Sequence, residues 1–188
     1  MTSQWTDDER AILQLHKDWW ESNCGLDVER MRSVFAKGDS YLMFNLDGHP
    51  YFSVDELAAL WQWYRGRIEI GMAEVYIMRL DVAGDFAYIC AEGNFPSKQL
   101  RPIGEDGTPQ LIGESEQSFP DIIRMRATEI YKRDDGEGNR RWSMWHFHCS
   151  PIPPADEPRP SPGDTSAGRG GLGSVPHRAR ITVVGAAT

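Results

Sequence analysis

The stretch that most constrains the fold is residues 124–150, RMRATEIYKRDDGEGNRRWSMWHFHCS. Its first part, residues 124–131, alternates and is rich in strand formers; residues 134–138, DDGEG, are turn chemistry; residues 142–149 are aromatic and return to period two. Two long strands joined by a turn commit the chain to an antiparallel sheet with a buried face. The second strand also carries His146 and His148, the only closely spaced histidines in the chain.

The rest of the chain is placed against this hairpin. Thr6 with Glu9 three residues on is a capping box, and Ile12, Leu15, Trp19 and Trp20 recur at helical spacing, so a helix of about four turns follows. Asp27 caps a second helix expected over residues 28–36, burying Met31, Val34 and Phe35. Residues 41–46 read as a strand, 47–50 as a turn and 51–52 as its short return. Ser53 and Glu56 form a second capping box for a helix through Leu57, Leu60, Trp61 and Tyr64 to about Arg67. From Ile70 the period changes to two, with Ala73, Val75, Ile77 and Arg79 on one strand face and Met72, Glu74, Tyr76, Met78 and Leu80 on the other. A further strand runs over residues 86–95, and residues 96–120 are polar and irregular, a length that marks a lid or an excursion.

With 188 residues, 40% hydrophobic, the chain can bury one ordinary core. A single domain is expected over residues 1–153. Beyond Ser150 come seven prolines and six glycines in 38 residues with few large apolar side chains, so residues 154–188 are expected to form a disordered Pro/Gly-rich tail. The stretch Ile181, Thr182, Val183, Val184 is too short and isolated to read as a strand. Of the net charge of −8, residues 151–188 hold +1 and residues 1–150 hold −9, an acidic body that would repel nucleic acid and anionic lipid. No stretch approaches the ~18–20 apolar residues of a membrane span. Three widely spaced cysteines, Cys24, Cys90 and Cys149, fit neither a disulfide framework nor a zinc site, and the expected compartment is the cytoplasm.

Three helices with a small hairpin between the second and third, followed by four long antiparallel strands, resemble the nuclear-transport-factor-2-like superfamily. Residues 128–136, TEIYKRDDG, with residues 142–150, WSMWHFHCS, are similar to the terminal hairpin of SnoaL-like proteins and of the association domain of calcium/calmodulin-dependent kinase II. The resemblance implies an α+β fold: a cone-shaped, curved antiparallel sheet wrapped around three N-terminal helices, a cystatin-like α+β barrel with a deep apolar cavity. It also implies a homodimer or higher homo-oligomer, often formed through the sheet. By the same resemblance, Glu92, Asn94, Ala127, Glu129, Phe147 and Cys149 face the cavity while His146 and His148 point outward. Asn94, Glu129 and Cys149 stand where the kinase association domain has arginines, so its cationic pocket is absent. Asn45 stands where ketosteroid-isomerase-like members carry an aspartate base, and Cys24 stands close to the aspartate position of dehydrochlorinase-like members.

The candidate catalytic residues are His49, Glu92 and Glu129. His49 lies in the short hairpin near where relatives place groups at the cavity mouth, and an imidazole suits acid/base work near neutral pH. Glu92 and Glu129, if both face one apolar cavity, would perturb each other's ionisation. Substrate contacts are expected from Trp19, Asn45, Tyr51, Trp61, Tyr64, Tyr88, Asn94, Phe147 and Cys149. The tryptophans 19, 20, 61, 63 and 145, with Met43, Met72 and Met78, suggest a deformable aromatic interior suited to a flat apolar molecule. His146 and His148 share a strand face and so can approach one metal ion, but no third or fourth ligand accompanies them, and they are read as structural or interface histidines with no metal site assigned. No phosphate loop, dinucleotide fingerprint or Ser-His-Asp pattern is present.

The expected function is that of a cofactor-independent acid/base lyase or isomerase on a small aromatic or polycyclic substrate, by dehydration, double-bond shift or retro-aldol deformylation. The alternative, from a different class, is a non-catalytic ligand-binding or oligomerisation module.

Overall fold

The computed structural model describes residues 5–100, 121–152 and 181–182. Helix α1 spans Asp7–Ser22, α2 Val28–Val34 and α3 Val54–Tyr64; the strands are β1 Leu42–Phe44, β2 Pro50–Tyr51, β3 Ile68–Ile70, β4 Glu74–Ala83, β5 Phe86–Gln99, β6 Ile122–Arg133, β7 Trp142–Pro151 and β8 Ile181–Thr182.

The helix starts follow their caps. The Thr6 hydroxyl accepts from the Glu9 amide while the Glu9 carboxylate accepts from the Thr6 amide at 2.7 Å. Ser53 accepts from the Glu56 amide, and Asp27 from the Arg30 amide. Helix α2 ends earlier than the expected residue 36, because Phe35 turns to extended backbone and bridges in parallel to Met144, and the Ala36 amide donates to the Met144 carbonyl at 2.9 Å. Joining a sheet edge satisfies those amides without another helical turn. Helix α3 likewise stops at Tyr64, short of the expected Arg67, with Arg65 at its C-cap.

The sheet runs β2-β1-β7-β6-β5-β4-β8, with β3 paired to the far end of β5. All described pairings between the long strands are antiparallel, but β1 lies parallel to β7, so the sheet is mixed rather than wholly antiparallel. It is strongly curled, a half-barrel holding the three helices in its concavity. Register shifts between Ile77 and Arg79 on β4, and between Ile130 and Tyr131 on β7's partner β6, are the kind of irregularity that bends a strand. The β4 shift has a further effect: Val75 and Ile77 are inside, whereas Arg79, expected on the same face, sits on the outer face with Asp81 and Tyr88.

The core is Ile12, Trp19 and Trp20 of α1, Met31 of α2, Leu57 and Trp61 of α3, and the inner faces of β4 to β7. Trp63, Met72 and Met78, expected inside, are exposed; Trp145 is half-buried, its indole N–H donating to the Asp134 carbonyl and its face covered by Lys132. Residues 96–99 belong to β5 rather than to an irregular segment, and residues 101–120 lie outside the described residues. The expected tail also lies outside them, except Ile181–Thr182, which pair as β8 with Tyr76 and Ile77. No helix among the described residues is long and apolar enough to cross a membrane.

Candidate functional site

A cavity of about 600 Å³ opens between the helices and the concave face of the sheet. Two stacked aromatic pairs form much of its wall: Trp19 with Trp61, centroids 5.6 Å apart at 19°, and Trp20 with Phe95, 5.2 Å apart at 18°. Phe147 meets both tryptophans of α1 edge-on, and Leu26, Met43, Leu46, Ile68, Ile70 and Met125 are among the further apolar lining. Such walls favour a flat apolar guest.

The polar lining is sparse. Asn45 and Asp47 come from the β1–β2 turn, Tyr64 from the end of α3, Cys149 from β7, Asn23 from the end of α1, and Asp121 with Arg124 from the start of β6. Asp47 is exposed to solvent while lining the cavity, which places its carboxylate at the opening. It accepts from the Tyr51 hydroxyl at 2.6 Å and from the His49 amide at 2.9 Å, and the Asn45 side-chain amide lies 3.4 Å away. Burial, with Asp47's charge adding to it, pushes the Tyr64 phenol up to about 12 and raises the Tyr51 phenol as well. Both phenols therefore remain protonated donors around neutral pH. The Cys149 thiol, also pushed up to about 12 by burial, faces the Phe44 carbonyl at 3.5 Å.

Of the expected contacts, Trp19, Asn45, Trp61, Tyr64, Phe147 and Cys149 line the cavity. Tyr51 is buried beside it and bonded to Asp47. Tyr88 and Asn94 do not line it: Tyr88 donates to Asp81 on the outer face, and Asn94 stands opposite Glu74 and Arg124 in the ladder.

The three expected catalytic groups do not converge. His49 is exposed, its ring edge-on to Tyr51 at 4.9 Å, because the turn directs Asp47 rather than His49 to the cavity. Glu92 pairs with Arg126 at 2.9 Å on the outer face. The register explains this: Ile89 faces Glu129 and Glu92 faces Arg126, and cross-strand partners share a face. Even-numbered positions of β5 are therefore outside while Glu129 is inside.

Glu129 is wholly buried, and it does not line the cavity. The Trp20 indole N–H donates to one oxygen at 2.7 Å, the His16 Nδ1–H donates to both at 2.9 and 3.0 Å, and the Tyr131 hydroxyl donates to the other. Burial and the adjacent carboxylate raise the Tyr131 phenol well above its ordinary value. Three donors from α1 and β6 thus saturate the carboxylate and tie helix to sheet. The only signal of His16 in the sequence is a histidine between Ile12 and Trp19/Trp20 in the apolar stripe of α1. In the sequence Asp47 reads only as turn chemistry.

On the outer face the His146 Nδ1 donates to the Leu42 carbonyl at 2.8 Å, and Phe44 lies edge-on to His146 and His148. Burial lowers the His146 imidazole below its ordinary value. Among the described residues, no group of three or more His, Cys, Asp or Glu is placed to hold a metal ion.

No protein-family model matches the sequence, and no characterised protein matches it. Solved structures do match the fold. A ketosteroid isomerase-like protein from Erwinia carotovora atroseptica is 10% identical with a TM-score of 0.57, covering 80% of this chain and 100% of its own. A proposed dehydratase of the NTF2-like family from Streptomyces avermitilis is 14% identical with a TM-score of 0.54, covering 78% and 97%. A protein with a cystatin-like fold from Caulobacter vibrioides is 15% identical with a TM-score of 0.51, covering 77% and 89%. The chain has the nuclear-transport-factor-2-like, cystatin-like α+β fold. At these identities the likeness extends to the fold alone.

Proposed function

We propose that the protein is a cofactor-independent acid/base lyase or isomerase acting on a small aromatic or polycyclic substrate. One observation carries this: the Asp47 carboxylate stands at the opening of a mostly apolar, aromatic-walled cavity, beside phenols that stay protonated. Asp47 takes a proton from a substrate carbon next to a carbonyl. The electron pair moves onto the carbonyl oxygen, and the Tyr64 hydroxyl donates a hydrogen bond to the enolate so formed. Returning the proton to a different carbon shifts a double bond; loss of a β-hydroxyl, protonated as it departs, releases water. Asn45 and Tyr51 hold the carboxylate, and the stacked pairs Trp19–Trp61 and Trp20–Phe95 hold the flat ring system. A deuterium-exchange screen in heavy water with aromatic ketones, enones and diaryl diols tests the proposal: exchange at the acidic carbon, or loss of water or formaldehyde, is expected.

A second function, non-catalytic binding, is favoured by the complete hydrogen bonding of Glu129 and the outward position of Glu92 and His49. Tight reversible binding across the panel without exchange would establish it. The expected homo-oligomer fits an outer sheet face that presents Phe44, 45% exposed, beside His146 and His148, and sedimentation of the full chain tests it.

A further inference from the structure

Trp20 borders two voids. It lines the main cavity, and it also lines a small, water-sized void with His16, Lys17, Glu21 and the start of β4. Its indole is held from three sides. The N–H donates to Glu129 at 2.7 Å, the ring stacks on Phe95, and its six-membered ring lies directly over Gly93. A Cβ on Gly93 would fall 2.2 Å from Cζ3 and 2.5 Å from Cη2 of Trp20, so the absence of a side chain there makes the slot the ring occupies. Behind the ring, His16 Nε2 is buried without a hydrogen-bond partner among the described residues.

We infer that Trp20 is a fixed partition that sets the inner limit of the cavity and hence the size of the ring system it accepts, with Glu129 as the positioning residue and Gly93 as the seat. This rests on the proposed apolar-ligand cavity but not on catalysis. A shorter ring at position 20 removes both the N–H bond and the atoms over Gly93, joining the cavity to the void at His16. A methyl group at Gly93 does the reverse, because the rigid indole must lift off β5 and into the cavity. An amide at Glu129 retains an oxygen that accepts from Trp20.

The test uses naphthol and hydroxypyrene as fluorescent probes on the full chain. The ratio of hydroxypyrene to naphthol affinity is expected to rise about tenfold in Trp20→Phe and to fall about tenfold in Gly93→Ala. Folded Trp20→Phe and Gly93→Ala variants with the wild-type ratio would overturn the partition. If wild-type protein binds neither probe, the apolar-ligand reading fails by itself. Crystal structures of the same variants then decide the partition: a void continuous with His16 in Trp20→Phe and a displaced indole in Gly93→Ala are expected, and an unchanged cavity in both refutes it.

Discussion

Glu129 and Glu92 stand on neighbouring strands, and only the face of the sheet separates their fates. Glu129, on the inner face, has no solvent exposure and three donors from His16, Trp20 and Tyr131. Glu92, on the outer face, retains 33% of its side-chain exposure and pairs with Arg126. The difference teaches that a carboxylate in this fold is assigned its work by register. The inner one is committed to holding α1 against β6 and the outer one to solvent, so neither lines the cavity, and the proposed base, Asp47, comes from a turn.

The comparison is broken most severely at Glu129. Glu129→Leu leaves the His16, Trp20 and Tyr131 donors unpaired in the core, and a loss of about 3–5 kcal/mol in urea unfolding is expected. A loss below about 1 kcal/mol would show that the network contributes little. Cys149 sharpens the inner side. With its thiol at about 12 against an ordinary 9.0, the native thiolate population at pH 8 is about a thousandfold below that of the unfolded chain. Alkylation of Cys149 in the native protein should therefore be slower by about that factor, recovering as pH rises toward 12; labelling at the unfolded rate would place the thiol in solvent. The outer side gives the smallest effect. Glu92→Gln loses an exposed ion pair and should change stability by about 0.5 kcal/mol or less, measured in the same urea titration.

Much of the frame is legible in the sequence because its signals are local. The capping box at Thr6, the side-chain cap at Ser53 and the terminal hairpin form where spacing and turn chemistry place them, although Glu56 reaches back to the Phe52 amide rather than to that of Ser53. The parity of β6 and β7 also holds, with Glu129, Phe147 and Cys149 inside and His148 outside. The parity of β5 is masked. Its inner face mixes the small residues Ala87, Ala91 and Gly93, the last packed under Trp20 of α1, with Ile89 and Phe95, while Phe86 and Tyr88 on the outer face add a competing apolar signal. The bulge at Met78 breaks the alternation of β4 in the same way. At the site, the aromatic wall is readable from Trp19, Trp61 and Phe147, but the hydrogen bonds that fix Glu129 span 109 and 113 residues to Trp20 and His16. Asp47 and His49 are two residues apart in one turn, and only its folded path decides which reaches the cavity.

The most direct measurement compares Asp47→Asn with His49→Gln in the heavy-water exchange assay, using a substrate that wild-type protein turns over, with binding followed in parallel. Asp47→Asn should retain binding and lose about a hundredfold or more in exchange rate, and His49→Gln should stay within about twofold of wild type. Wild-type exchange by Asp47→Asn, or loss of exchange in His49→Gln alone, would contradict the assignment of the base to Asp47.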